Sequence, residues 1–381
     1  MADPLNGFEY LEALQKQKEG KEATYSDLSH YLENKAREAG VPITGQFELT
    51  PLCNFSCKMC YVHLMKDQLG DAKLLTVDQW KDLVHQAWKA GMLHCTLTGG
   101  ECLTYPGFEE LYLYLQDLGC NIAVLTNGFL LDEEKIRFFQ EHRPASIQIT
   151  LYGCNDDVYE RVTGCRVFKA VTDNIRNLMK VGLPVSLTIT PSRYLGEDAL
   201  ETLRTAYELT GNVAINPILS SPREETGRTG AGDDAELDLY VRLYRLLAEL
   251  KGEKPGEDFE GILPEAGGPY HECKECGIRC GAGRSSFSIN WKGIMTFCSS
   301  LECLQCNPLE DGFLNAWKKL NRAARNWPTA PECNGCAYRS VCISCAAYEN
   351  QFAEPGKQPL PLCERTKSFV RHGIWSIPVC E

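Results

Sequence analysis

Cys53, Cys57 and Cys60 fall within eight residues of one another, are followed at once by Tyr61, and come just after the strand-like run Gln46-Phe-Glu-Leu-Thr50. Three closely spaced thiols hold three irons of a four-iron cluster and leave the fourth iron open to something other than a protein side chain. Soft thiolates also select zinc, so in isolation the spacing suits a zinc site or buried free thiols as well. Farther along, Thr98-Gly99-Gly100-Glu101 joins two glycines, which let backbone approach a ligand closely, to a carboxylate able to accept from an ammonium. Cys102 comes next. It is either a thiol whose weak S–H bond can hand over a hydrogen atom or a small apolar filler of a turn. A second set of thiols comprises Cys273, Cys276, Cys280, Cys298, Cys333, Cys336, Cys342, Cys345 and Cys363. Its Cys-x2-Cys pairs fit zinc ribbons and iron–sulfur clusters alike.

Such residues need elements to position them. From Gln46 to about Leu219, short apolar runs alternate with amphipathic ones. Strands are expected at 46–50, 94–98, 121–126, 146–151, 184–190 and 212–218, with helices near 76–90, 107–119, 132–142, 166–182 and 198–210. Six strand–helix alternations imply parallel strands joined by right-handed crossovers. Ligands gather at the carboxyl ends of such strands, which is where the triplet, Gly99-Gly100-Glu101, Thr126-Asn127-Gly128 and Thr150 fall. The expected fold class is α/β: a partial (β/α)6 TIM barrel, an open barrel of six units, followed by a cysteine-rich C-terminal domain. Residues 1–44 read as a helical extension ending on Gly40, 45–220 as the barrel, 221–265 as loop and linker helix, and 266–381 as the cysteine-rich domain. The glycine- and charge-rich stretch 220–234 reads as a mobile loop able to cover the barrel mouth.

Apolar residues at 44% and charged residues at 24% fit a soluble globular protein. A net charge of -12 argues against nucleic acid as the main partner and leaves room for a basic peptide. No run approaches a membrane span, and Met1-Ala-Asp-Pro-Leu-Asn-Gly7 lacks the regions of a signal peptide, so a cytoplasmic protein without a membrane partner is expected. Twenty cysteines in such a compartment point to metal rather than to disulfides.

On Cys53-x3-Cys57-x2-Cys60-Tyr61 and Thr98-Gly-Gly-Glu101, the chain resembles the radical S-adenosylmethionine (SAM) superfamily. On Cys280-x12-Gly293-x4-Cys298, Cys333-x2-Cys336-x5-Cys342-x2-Cys345 and Cys363, it resembles the SPASM extension found in enzymes that modify peptides and proteins. The resemblance implies that Cys53, Cys57 and Cys60 bind a [4Fe–4S] cluster whose open iron takes the amino and carboxylate groups of SAM. Reductive cleavage then releases a 5′-deoxyadenosyl radical, chemistry that belongs to the cofactor. It also implies cofactor contacts from Tyr61, Gly99, Gly100, Glu101, Asn127, Thr150 and an arginine of the run Tyr159–Arg166, either Arg161 or the candidate Arg166. The superfamily usually continues Gly-Gly-Glu with proline, where this chain has Cys102.

Carried over in the same way, Cys276 (or Cys273), Cys280, Cys298 and Cys345 would hold a first auxiliary cluster, and Cys333, Cys336, Cys342 and Cys363 a second. That makes three [4Fe–4S] clusters. The SPASM spacing before the last cysteine of the middle set is usually x3, against x2 before Cys345 here. Cys303, Cys306 and Cys380 stand outside the pattern. The implied function is hydrogen abstraction from a peptide or protein, giving a crosslink, a thioether or an epimerised residue, with reducing electrons from a donor such as flavodoxin or ferredoxin. Residues 1–44 are short for a separate leader-binding domain, so leader recognition would fall to them or to a partner. The competing implication is formylglycine formation of the sulfatase-maturing kind. That subfamily has an aspartate right after the cysteine of Gly-x4-Cys, where this chain has Ser299, a residue without a suitable base. Oxidation of a small molecule is a further alternative. An electron carrier without catalysis would account for the clusters but not for the open triplet or Glu101.

Overall fold

The computed structural model describes residues 25–223, 226, 234–254, 277–334 and 336–375. Six strands, β1 (Thr44–Glu48), β2 (His94–Thr98), β3 (Asn121–Thr126), β4 (Ser146–Thr150), β5 (Val185–Ile189) and β6 (Val213–Ile215), run parallel and pair in chain order. The expected six-unit α/β barrel is therefore present, and it is open because β6 does not pair with β1. Helices α2 (Val77–Lys89), α3 (Phe108–Asp117), α4 (Glu133–Glu141), α6 (Phe168–Lys180) and α7 (Asp198–Thr210) return the chain between strands, close to the bounds the periodicity predicts. Each begins or packs for a local reason. At α2, Thr76 and Gln79 cap one another's backbone N–H, and the helix then turns Trp80, Leu83, Val84 and Ala87 into the core.

Helix α5 (Asp156–Thr163) was not expected. It is eight residues long, is capped by Asn155 and ends at Gly164 in the left-handed region at φ +79°.

The sheet continues past the barrel. β7 (Ser286–Ile289) pairs in parallel with β1, and β8 (Met295–Thr296) pairs antiparallel with β7, giving eight strands in the order β6-β5-β4-β3-β2-β1-β7-β8. Residues expected in the C-terminal domain thus cover the edge that β1 would otherwise expose. Phe287 seals the join, with its ring 5.9 Å from Phe47 and 5.0 Å from Phe313, both edge-on.

Helix α1 (Tyr25–Ala39) ends at Gly40 (φ +73°), as predicted, and packs on the C-terminal half. Trp317 of α9 (Phe313–Arg325) donates to the Gly40 carbonyl at 2.7 Å, and Arg325 donates to the carbonyls of Arg37 and Glu38 at 2.9 Å. The linker helix is α8 (Leu237–Leu250). Most of the stretch expected to form a mobile loop lies outside the described residues, as do Cys273, Cys276 and Cys380. Among the described residues no helix is long and apolar enough to cross a membrane.

Candidate active site

The cysteine loop leaves the end of β1 and is held from three sides. Gly100 N–H donates to the Thr50 carbonyl at 2.7 Å and Glu101 N–H to the Leu52 carbonyl at 2.9 Å. Ser56 and Lys58 N–H donate to the Thr163 and Val162 carbonyls at the end of α5, at 3.0 and 2.9 Å. Sulfurs within it accept from the protein: Cys53 from Phe55 N–H at 3.4 Å and from the Asn127 amide at 3.6 Å, Cys60 from His63 N–H at 3.4 Å. Hydrogen bonds of this kind stabilise thiolates and tune iron–sulfur clusters. Burial pushes the free Cys53 thiol up to about 12 and Cys57 well above its ordinary value, and the three thiols reinforce one another. Metal binding at such a site must therefore expel protons. Among the described residues no three Cys, His, Asp or Glu side chains converge closely enough for a single metal ion. Thiolates of a four-iron cluster each meet a different iron and have no need to.

A cavity of about 360 Å³ opens beside the loop at the carboxyl ends of the strands. Its lining includes Cys57, Cys60 and Tyr61 of the cysteine loop, Gly99, Gly100, Asn127 and Thr150 at the strand ends, and Ser220, Ser300 and Tyr348. The barrel contributes a polar ladder beneath it. Gln148 donates to the Thr188 hydroxyl at 2.6 Å and Asn216 to the Thr190 hydroxyl at 2.8 Å. Five of the expected cofactor contacts, Tyr61, Gly99, Gly100, Asn127 and Thr150, thus line one space.

Glu101 stands just behind the wall, 1% exposed. Its carboxylate accepts from the Thr126 hydroxyl at 2.8 Å, from Asn127 N–H at 2.7 Å and from Leu103 N–H at 3.1 Å. Burial raises its pKa against the pull of these donors. It therefore locks the end of β3, and with it Asn127, in place. The glycines also have a nearer reason than ligand approach. A Cβ on Gly99 would lie 2.6 Å from the Thr50 carbonyl, and one on Gly100 2.5 Å from that of Leu52.

Two of the expected residues lie outside the cavity's lining. Arg166 is a surface residue, paired with Asp157 at 2.6 Å and Glu160 at 2.8 Å, and is not among the cavity's lining; Arg161 is occupied with the Tyr194 and Leu195 carbonyls and with Asp198. What this segment gives the site is the pair of carbonyls that hold the cysteine loop. Cys102 is turned toward the end of β3. It is fully buried, its Sγ donates to the Leu125 carbonyl at 3.2 Å, and it does not line the cavity.

In the C-terminal half, burial pushes up the thiols of Cys298 and Cys345, and the nearby Cys280 adds to the rise in both. The shortened x2 spacing thus still brings Cys345 to this set. Cys333, Cys336, Cys342 and Cys363 together surround a second small cavity, and here too donors face sulfur: Ser344 N–H to Cys342 at 3.4 Å and the Gln358 amide to Cys363 at 3.7 Å. Cys306 is buried and pairs backbone to backbone with Met295, while Cys303 is exposed in the wall of a cavity of about 640 Å³ that adjoins the barrel mouth. The sequence reading missed Gln148, Thr188, Thr190, Asn216, Tyr348 and the buried pair Glu48–Arg223. A polar residue near the end of an otherwise apolar strand was the available signal for the barrel residues; Arg223 and Tyr348 carried none.

Residues 47–206 match the sequence profile of the radical SAM superfamily, from within β1 into α7. The mycofactocin maturase MftC of Mycobacterium tuberculosis is 27% identical over 358 residues, spanning 89% of this chain and 87% of its own. The AdoMet-dependent heme synthase of Methanosarcina barkeri is 25% identical over 329 residues, spanning 79% and 90%. Among solved structures, Streptococcus suis SuiB bound to S-adenosylmethionine superposes with a TM-score of 0.64 over 93% of this chain and 87% of that one at 15% identity, a likeness of fold; SuiB is also known bound to its precursor peptide SuiA. With the profile covering the strands whose ends carry the cysteine loop and the Gly-Gly-Glu turn, residues 47–206 form a radical SAM domain.

Proposed function

We propose that this chain is a SPASM-type radical SAM enzyme that modifies a peptide, in the manner of enzymes that mature ribosomally made peptides. The observation that carries the reading is the composition of the 360 Å³ cavity, whose lining joins Cys57 and Cys60 of the triplet to Ser300 and Tyr348, which lie close in sequence to Cys298 and Cys345. A substrate held there would lie between the site of hydrogen abstraction and a sink for the second electron. Support for a peptide comes from MftC, named as a maturase, and from the SuiB fold bound to a precursor peptide. The heme synthase relative shows that family likeness alone does not fix the substrate.

Cys53, Cys57 and Cys60 would hold the first [4Fe–4S] cluster; Cys280, Cys298, Cys345 and a cysteine outside the described residues, Cys276 or Cys273, the first auxiliary one; and Cys333, Cys336, Cys342 and Cys363 the second. When bound, the first cluster and SAM supply a carbon-centred radical that removes one hydrogen from substrate. The chain's own residues do the rest. Glu101 holds Asn127 and the end of β3; Gly99 and Gly100 keep the wall tight against the cysteine loop; Thr150, Gln148, Thr188 and Asn216 offer hydrogen bonds inside the barrel. With Cys102 turned away, net oxidation to a crosslink or thioether is favoured over epimerisation. Formylglycine formation is disfavoured further, because Ser299 accepts from the Tyr61 hydroxyl at 3.1 Å and brings no base to the cavity. Reducing electrons would come from a flavodoxin or ferredoxin, and the acidic chain would act in the cytoplasm.

Mass spectrometry of candidate peptides treated with enzyme, SAM and reductant in heavy water tests this. Loss of two hydrogens is expected. Uptake of one deuterium without other change would mean epimerisation and would overturn the oxidative reading.

A further inference from the structure

Arg223 belongs to no motif, yet it is 8% exposed at the centre of the join between barrel and C-terminal half. Its guanidinium makes a two-point contact with Glu48 of β1, Nη1 to Oε1 at 2.9 Å and Nη2 to Oε2 at 2.8 Å. Nη2 also donates to the Ser299 carbonyl at 2.9 Å, and Nε pairs with Glu302 at 3.2 Å, outside hydrogen-bond geometry. The same group lies 5.7 Å from the centroid of the Tyr61 ring, while its backbone N–H donates to the Tyr61 carbonyl at 3.1 Å. A planar fork bonds Glu48 and the Ser299 carbonyl at once while its carbon lies near the Tyr61 ring, which a point charge cannot do. Burying a cation between two carboxylates costs much of what the pairing returns, so such a cluster is weak evidence for stability. Its addresses are more telling. Tyr61 follows Cys60, and Ser299 follows Cys298.

We propose that Arg223 is a positioning residue that sets Tyr61 against the cavity and ties the first cysteine loop to the Cys298 segment through β1. The inference rests on the SAM-site reading above. Because Tyr61 is a cavity wall, slackening the tie changes the shape of the SAM site. Because Ser299 adjoins Cys298, it also changes the distance between the first cluster and the first auxiliary one.

Two variants test this in the reconstituted full-length enzyme. Glu48→Met/Arg223→Met removes this closest charge pair together, so that the buried Glu48 carboxylate is not stranded. Arg223→Lys keeps the charge but cannot reach Glu48, Ser299 and the Tyr61 face together. Iron content, melting temperature and the SAM-induced change in the electron paramagnetic resonance of the reduced first cluster are measured for each. Both variants are expected to keep their iron and to bind SAM about tenfold more weakly than wild type. SAM affinity within about twofold of wild type in both would overturn the proposal, and so would loss of iron in both, which would make Arg223 a folding residue only. Failure of the wild type itself to bind SAM is a separate result, and would overturn the SAM-site reading instead.

Discussion

Around Cys53, Cys57 and Cys60 the chain hangs from paired strands, with β1 inside the sheet, the Gly-Gly turn bonded to the loop's base and α5 closing its far side. Around Cys333, Cys336, Cys342 and Cys363 there are short helices, turns and an apolar cluster of only Ala337, Tyr338 and Val370 at its centre. The first region has a hydrophobic core that positions thiols for a cofactor. The second has thiols where a core would be, and on the proposed assignment a cluster there would supply folding free energy. Cysteines thus play opposite parts in one chain. On the proposed assignment they depend on the fold at the barrel, and at the C-terminus the fold would depend on them.

The largest effect that would sharpen this contrast is on turnover. Cys57→Ala is expected to abolish SAM cleavage while shifting stability by only about 1–2 kcal/mol, as for loss of a small buried side chain, checked by product assay and thermal melting. If the barrel unfolds instead, the contrast breaks on its first side. Next, Cys363→Ser should remove about four irons per chain and strip hydrogen-exchange protection from residues 330–375 while β1–β6 stay protected. A smaller effect is expected from Gly100→Ala, whose methyl would meet the Leu52 carbonyl. A cost of about 1–3 kcal/mol and weaker SAM binding should follow, read by denaturant titration and by the SAM-induced spectral change. Smallest is Cys102→Ala, at about 1 kcal/mol and with the same product mass as wild type, because Sγ faces Leu125 and not the cavity. A changed product would return Cys102 to the reaction.

Legibility in the sequence followed the same division. The six barrel strands could be read because alternation and periodicity are local, and Gly-Gly-Glu because two glycines at a strand end mark close backbone approach. The pairing of β7 with β1 joins residues more than two hundred positions apart through ordinary apolar runs, and no local pattern announces it. Arg166 was placed near the cofactor from motif order alone, but its neighbours Asp157 and Glu160 draw it to the surface. Arg223 was invisible for the converse reason. Its partners come from β1, the cysteine loop and the C-terminal half, and only the fold assembles them.

The most direct test of the central claim is the iron and sulfide content of anaerobically reconstituted protein beside a Cys53→Ala/Cys57→Ala/Cys60→Ala variant. The account predicts about twelve irons per wild-type chain and about eight in the variant, the difference being the one cluster open to SAM; about four in the wild type would contradict it.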